Sequence, residues 1–496
     1  MFVFTLLALK AASVFCSSLL PTTLPSPRRP LDYALGEDAA VWPQMGFDQR
    51  HAGMSPFAGP GTATVRTVWE FKTGASIYST PVIDGNRTVF IGSTDASIYA
   101  VSSATGGSLW SYKADSAIVG TPALDGSGAI FFNSLLTVYA LDASTGRLKW
   151  TFANSGGQLS SSSLVATGTV LYSTTNQTLT ALNSTNGGLL WQYPVSLFAS
   201  AAVGPSGNIV AGSNSDGRLL SLFSNGSVFW SQALGPMWGT PTVGEDGAIY
   251  IATSSRVLYA LSFTGVQLWT FSSTKCSRGI PKTSVALGAN NTLLFTCISY
   301  VFCLDRVSGR ELWNYTLYSG TLDVLGGSLS SPTVGSDGVV YLMIESFLSF
   351  ADIRVSEVYA LDGGSGYSLW TLNVNKKMGK PTSTVSSVVI NNDLKVIVGC
   401  MDGSLYAISG GFSYTPSPAP TRSNRPPLFP SPPPSPSPST DSSTSQFSVV
   451  FTVVLPVFGA AATIFAFACG FRHKSLPVPS PRAAGEKTAL LQPQTQ

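Results

Sequence analysis

From about residue 64 to residue 411 the apolar residues fall in short runs, each cut off by glycine, aspartate, asparagine or serine. Residues 120–150 show one full unit. Pro122 opens a first strand and Asp125-Gly126-Ser127-Gly128 makes a turn; Ile130 to Asn133 form a second strand, Thr137 to Leu141 a third, and Leu148 to Phe152 a fourth after Thr145-Gly146. Four short strands separated by such turns are what one blade of a propeller needs. The unit repeats. Trp110, Trp150, Trp191, Trp230, Trp269, Trp313 and Trp370 each end a copy, and each follows a glycine by four residues: Gly106, Gly146, Gly187, Gly226, Gly265, Gly309 and Gly366. A repeat of about forty residues built this way predicts an all-β ring of blades. The glycine serves a tight turn that demands positive φ. The small residue of the Tyr-Ala phrase (Ala100, Ala140, Ala181, Ala260, Ala360) lets sheets approach, and the tryptophan fills the gap between blades.

An eighth tryptophan breaks the rule. Four residues before Trp69 stands Val65, so no hairpin turn leads into that strand, while residues 383–411 give three strands and no closing tryptophan. The strand around Trp69 is therefore the missing fourth strand of the last blade, and sharing it closes the ring. This predicts eight blades over residues 42–412, or seven if residues 200–230 do not form one. The insertion from Ile344 to Ser356 reads as a distinctive loop and a candidate contact region, with a plain structural protrusion as the alternative.

The flanks predict a membrane topology. Residues 1–18 read as a signal peptide and 19–41 as a spacer. Residues 413–446 hold eleven prolines and favour an extended stalk, up to about 90 Å long at about 3.1 Å per residue. Residues 447–471 carry no charge over 25 positions and are followed by Arg472-His473-Lys474, as expected of one transmembrane helix with a cytosolic flank. Residues 472–496 are then a cytosolic tail, in which Glu486, Leu490 and Leu491 fit the acidic dileucine pattern read by clathrin adaptors. Glycosylation sequons at Asn86, Asn176, Asn183, Asn225, Asn290 and Asn314 all fall in the propeller. The expectation is a plasma-membrane protein with its propeller outside, or alternatively one of an endosomal or vacuolar membrane.

Composition and candidate chemistry narrow the function. Charged residues are only 11% and the formal net charge is +3, which gives no electrostatic case for nucleic acid. His51 is the single histidine outside the tail, in a surface or packing segment, so neither a metal set nor a hydrolytic triad is legible. Four cysteines remain in the ectodomain: Cys276, Cys297, Cys303 and Cys400. Cys297 and Cys303 flank one hairpin and are the candidate disulfide; Cys276 and Cys400 then bridge distant blades or stay free.

The phrases YALDASTGRLKW, VFCLDRVSGRELW and YALDGGSGYSLW resemble the repeats of the quinoprotein alcohol-dehydrogenase-like (PQQ-repeat) propellers, and WPQMGFDQRHAGMSP from Trp42 to Pro56 is similar to their lead-in. The resemblance covers about residues 42–411 and implies the fold. It also implies that Asp142, Asp305 and Asp362 cap a turn within their blades. The enzymes of that family hold their quinone under a disulfide between adjacent cysteines, beside calcium; no two cysteines are adjacent here, so no cofactor is expected. The whole layout resembles plant gamete-expressed single-pass proteins carrying such a propeller, which implies reproductive recognition or signalling. The leading expectation is a non-enzymatic surface propeller that binds an extracellular protein or cell-wall glycan. A quinone-dependent oxidoreductase and a secretory or vacuolar sorting or assembly factor are the alternatives.

Overall fold

A computed structural model describes residues 42–61, 64–153, 163–175, 177–276, 283–297, 300–317, 328–348, 353–378 and 386–410. The chain divides into two compact units, Met1–Arg425 and Pro426–Gln496. The signal peptide, stalk, 447–471 span and tail expected above lie outside the described residues. Among the described residues, no helix is long and apolar enough to cross a membrane.

Eight antiparallel sheets are present among the described residues, which excludes the seven-bladed alternative. Seven run in chain order: blade 1 over 82–113, blade 2 over 123–153, blade 3 over 165–194, blade 4 over 202–233, blade 5 over 242–271, blade 6 over 286–316 and blade 7 over 328–378. The doubtful unit at 200–230 is blade 4. In each, a short inner strand is followed by a second, a third and an outer strand; in blade 7 two short strands, Ser328–Leu329 and Thr333–Val334, pair with the second. Blade 8 is split: Arg66–Lys72 pairs antiparallel with Ser404–Ser409, with Trp69 opposite Ala407 and Lys72 opposite Ser404. It is stitched by side chains as well. Lys72 Nζ donates to the Asp402 carbonyl at 2.8 Å and to Ser404 Oγ at 2.7 Å, and the Asp402 carboxylate accepts the Tyr406 hydroxyl at 2.8 Å.

The tryptophans join the blades. Each indole N–H donates to a backbone carbonyl beyond its own blade at 2.7 to 3.0 Å: Trp69 to Ser103, Trp110 to Ala143, Trp150 to Ser184, Trp191 to Ser224, Trp230 to Phe263, Trp269 to Arg306, Trp313 to Gly363 and Trp370 to Pro60. The repeated glycine has a second reason beside its positive φ. A Cβ on Gly146, at φ 71°, would lie 2.7 Å from the ring of Trp110 in the preceding blade. The indoles from Trp69 to Trp313 thus each lie on the next blade's turn. Asp142 caps that turn through Oδ1, which accepts the Thr145 amide at 2.9 Å and two hydroxyls; Asp305 and Asp362 cap theirs through backbone amides and one hydroxyl each. Hydrogen bonds from Ser144 and Thr145 hold the Asp142 carboxyl below its usual range.

Nearer the axis, backbone amides reach hydroxyls of neighbouring blades. Thr80 N donates to Thr121 Oγ1, Thr121 N to Ser163 Oγ, Ser163 N to Ser200 Oγ, Ser284 N to Ser331 Oγ, and Ser387 N to Thr80 Oγ1. The last of these links the split blade to blade 1.

Two expectations are corrected. The disulfide joins Cys276 to Cys297, with Cα atoms 5.7 Å apart, not Cys297 to Cys303. Across the hairpin Cys297 faces Tyr300, and Cys303 faces Leu294. Cys303 instead holds the small-residue position taken by Ala140 in blade 2, opposite its blade's tryptophan, and is buried as a free thiol. Residues 344–356 are not a loop in the main. Val339–Leu348, Ile353–Asp362 and Ser368–Met378 run on as long paired strands, so blade 7 outgrows the other blades.

Trp69→Ala should show how much the ring depends on its closing strand. Loss of this buried indole and its bond to Ser103 should cost about 3–5 kcal/mol, seen as a lower denaturation midpoint by circular dichroism. An unchanged midpoint would mean the strand is dispensable.

Candidate functional site

The antiparallel course gives the ring two different faces. One, the turn face, collects the turns between inner and second strands and those between third and outer strands. The other, the loop face, collects the turns between second and third strands and the connections between blades.

The lead-in, residues 42–60, belongs at the turn end of the bore. Trp42 pairs with Ile83 of blade 1 through both backbone bonds, and the Pro43 carbonyl accepts Leu124 N of blade 2. The Gln44 side chain bonds Ala166 of blade 3 in both directions. The carbonyls of Gln49, Arg50, Ala52 and Gly53 then accept Val203, Val243, Leu287 and Val334 of blades 4 to 7 in turn. Every one of these partners lies at or next to the last residue of its inner strand, beside the turn face. The segment makes this circuit by left-handed backbone at Gly46, Phe47, His51 and Gly53. One stretch of chain therefore touches seven blades in order and occupies one end of the channel.

His51 is part of that belt, not a surface residue. It is buried, and its Nε2 lies 2.9 Å from the Ala201 carbonyl; since a carbonyl only accepts, Nε2 carries the proton. Burial lowers its pKa, against the opposing pull of that carbonyl and of Asp48. A neutral packing imidazole results, unsuited to acid–base work.

The thiols are equally inert. Burial pushes the Cys303 thiol up to about 12 and raises that of Cys400 well above its usual value. The residues do not fit the quinone and calcium of the family's enzymes. The Cys276–Cys297 bridge spans 21 positions, and among the described residues no three His, Cys, Asp or Glu side chains stand together as a metal set.

What the loop face offers is contact surface. Phe198, 42% exposed, lies on the connection from blade 3 to blade 4, and its ring packs 5.0 Å from that of Trp238 on the next connection. Beside it a groove of about 410 Å³ opens between blades 3 and 4, lined by Tyr193, Val195, Ser196, Asp216, Arg218 and Val228 among others. Neither aromatic belongs to the repeat series, and that irregularity was the available signal for them. The extended blade 7 lengthens toward this same face, since the turn joining its second and third strands lies at the loop end.

The sequons fall unevenly. Asn86 and Asn290 sit in turns between inner and second strands, and Asn183 and Asn225 at turns between third and outer strands, all on the turn face. Asn314 lies within the outer strand of blade 6. Asn176 lies outside the described residues, as do Glu486, Leu490 and Leu491.

The comparisons with known proteins agree with this geometry. Residues 61–203, 196–354 and 264–411 each match the family described as "Outer membrane protein assembly factor BamB". BamB of Shewanella oneidensis is 28% identical over 233 residues, or 43% of this chain and 55% of that protein, so the chain spans about half the length of this relative. BamB of Moranella endobia is 24% identical over 301 residues, 56% of this chain and 68% of the relative. Among solved structures, BamB from Moraxella catarrhalis is similar with a TM-score of 0.53 at 19% identity, over 71% of this chain and 99% of that one. A europium-containing methanol dehydrogenase reaches 0.58 at 12% identity, over 75% and 98%. At such identities these structures establish the fold and nothing further.

The buried imidazole makes stability depend on pH. Unfolded, His51 takes up a proton at about pH 6.5; folded, it resists. Protons then favour the unfolded chain, and stability falls as pH drops below about 6.5 toward the lower folded value. Its charged neighbours Asp48 and Arg50 are ion-paired to each other at 2.7 Å. His51→Asn, which tolerates left-handed backbone, should remove up to about 1.4 kcal/mol per pH unit of that slope between pH 7 and 5. Identical slopes in the two proteins would show that His51 does not titrate on unfolding.

Proposed function

This chain belongs to the PQQ-repeat family described as outer membrane protein assembly factor BamB, and we propose that its propeller is a non-enzymatic platform that holds a partner protein on its loop face. The observation that carries this reading is the pair formed by exposed Phe198 and half-buried Trp238, together with the groove between blades 3 and 4. Exposed aromatics on a rigid frame make strong contact anchors at low entropic cost. The lead-in occupies the opposite end of the bore. That relatives are named assembly factors favours a protein partner over a cell-wall glycan.

The finer reading concerns where this platform stands. The uncharged stretch 447–471, followed by Arg472-His473-Lys474, supports a single-pass membrane protein with the propeller outside. On that topology the partner is extracellular. Glu486, Leu490 and Leu491 would meet a clathrin adaptor and set the balance between plasma membrane and endosomal or vacuolar membrane. Recognition or signalling between reproductive cells is the role its layout suggests.

Proximity labelling from the full-length chain in intact cells tests the platform. Wild type should label a reproducible set of neighbours, and Phe198→Ser with Trp238→Ala should reduce that labelling roughly ten-fold while the fold, read by circular dichroism, persists. Equal labelling by a folded variant would remove the loop face as the contact. Incubation with the quinone and calcium should leave the protein's absorbance unchanged and support no dye reduction with alcohols. Retained cofactor and turnover would replace this reading with a quinone-dependent oxidoreductase.

A further inference from the structure

The six sequons are equivalent as sequence but not as structure, and we infer that N-glycans occupy the turn face at Asn86, Asn225 and Asn290 and are absent from Asn314 in the folded protein. Asn86, Asn225 and Asn290 are exposed turn residues. At Asn225 the fold uses only Oδ1, which accepts the Ser227 amide at 3.0 Å and its hydroxyl at 2.7 Å. The glycan is attached through Nδ2, so the turn and the sugar do not compete. Asn290 has a left-handed backbone at φ 56°, in a two-residue turn with Asn291 that projects from blade 6. Asn183 stands where blade 2 has Asp142 and likewise caps its turn through Oδ1, accepting the Thr185 amide at 2.9 Å; it is half-buried and makes an intermediate case.

Asn314 differs in kind. Its Nδ2 donates to Glu311 Oε1 at 2.6 Å and its Oδ1 accepts Lys275 Nζ at 2.8 Å, midway along the outer strand of blade 6. A sugar on that nitrogen would break the bond to Glu311 and crowd the strand. Chains modified there before folding would be lost from the folded pool. The three favoured sites lie on blades 1, 4 and 6, so bulky, solvated chains would surround the end of the bore that the lead-in fills. That shield turns the loop face toward any macromolecular partner.

The inference rests on the reading that the propeller enters the secretory route, and the test separates the two. The full chain is expressed in a eukaryotic secretory host, once with its own N-terminus and once behind a host leader. Folded material is then mapped by glycopeptide mass spectrometry. Behind the host leader, Asn86, Asn225 and Asn290 should be occupied and Asn314 bare. Asn86→Gln, Asn225→Gln and Asn290→Gln should each remove one mobility step on gels, and Asn314→Gln none. Occupied Asn314 in folded protein, or bare turn sites beside modified ones elsewhere, overturns the inference. Glycans with the host leader but none with the native N-terminus would instead overturn the secretory reading.

Discussion

The ring depends on one repeated contact: an indole laid on the neighbouring blade's turn, with its N–H bonded to a carbonyl in that turn. Each half of the contact explains one constraint in the sequence. The indole needs a floor without a Cβ, which fixes glycine, and a carbonyl held in place, to which the capping Asp142, Asn183, Asp305 and Asp362 contribute in blades 2, 3, 6 and 7. Because the indole of one blade uses the turn of the next, no blade is complete by itself. A structure made this way has to close, or its last tryptophan is left without a partner.

Closure is where the repeat alone fails. Blade 8 has no turn between its third and outer strands, because the chain's two ends meet there. Trp370 therefore lacks the carbonyl that its seven counterparts find. The lead-in supplies it, through Pro60 at 2.7 Å, and the same carbonyl accepts the Tyr341 hydroxyl. The segment before the repeats thus replaces the piece that a split blade cannot provide, after binding seven inner strands on the way. Its unusual density of left-handed residues follows from the sharp path it must take inside a ring.

Much of this is legible in the sequence. The strands of blade 2 fall within one residue of their expected bounds, and the missing glycine before Trp69 was enough to place the split blade. Periodicity is strong evidence because one rule is tested many times along the chain. The cysteine pairing was misread for the converse reason. Flanking a hairpin says nothing about register, and Cys303 was better compared with Ala140, whose place it takes, than with its neighbour in sequence. The circuit of the lead-in could not be read, since its partners are backbone groups spread over blades 1 to 7. The hydroxyl contacts near the axis could have been: a serine or threonine precedes nearly every inner strand, from Thr80 to Ser387.

The same division between regular and irregular residues locates function. Positions that obey the repeat are accounted for by closing and packing the ring, and the candidate catalytic groups are used up in that work. His51 is a buried link of the lead-in, Cys303 fills an alanine's place, and Asp142, Asp305 and Asp362 cap turns. Irregular features remain on the loop face: two aromatics from successive connections and the groove between blades 3 and 4, and, elsewhere on the ring, one overlong blade. The frame is braced through indoles, hydroxyls and an internal belt. It can hold such irregular features at fixed spacing, which is what recognition of a large partner requires.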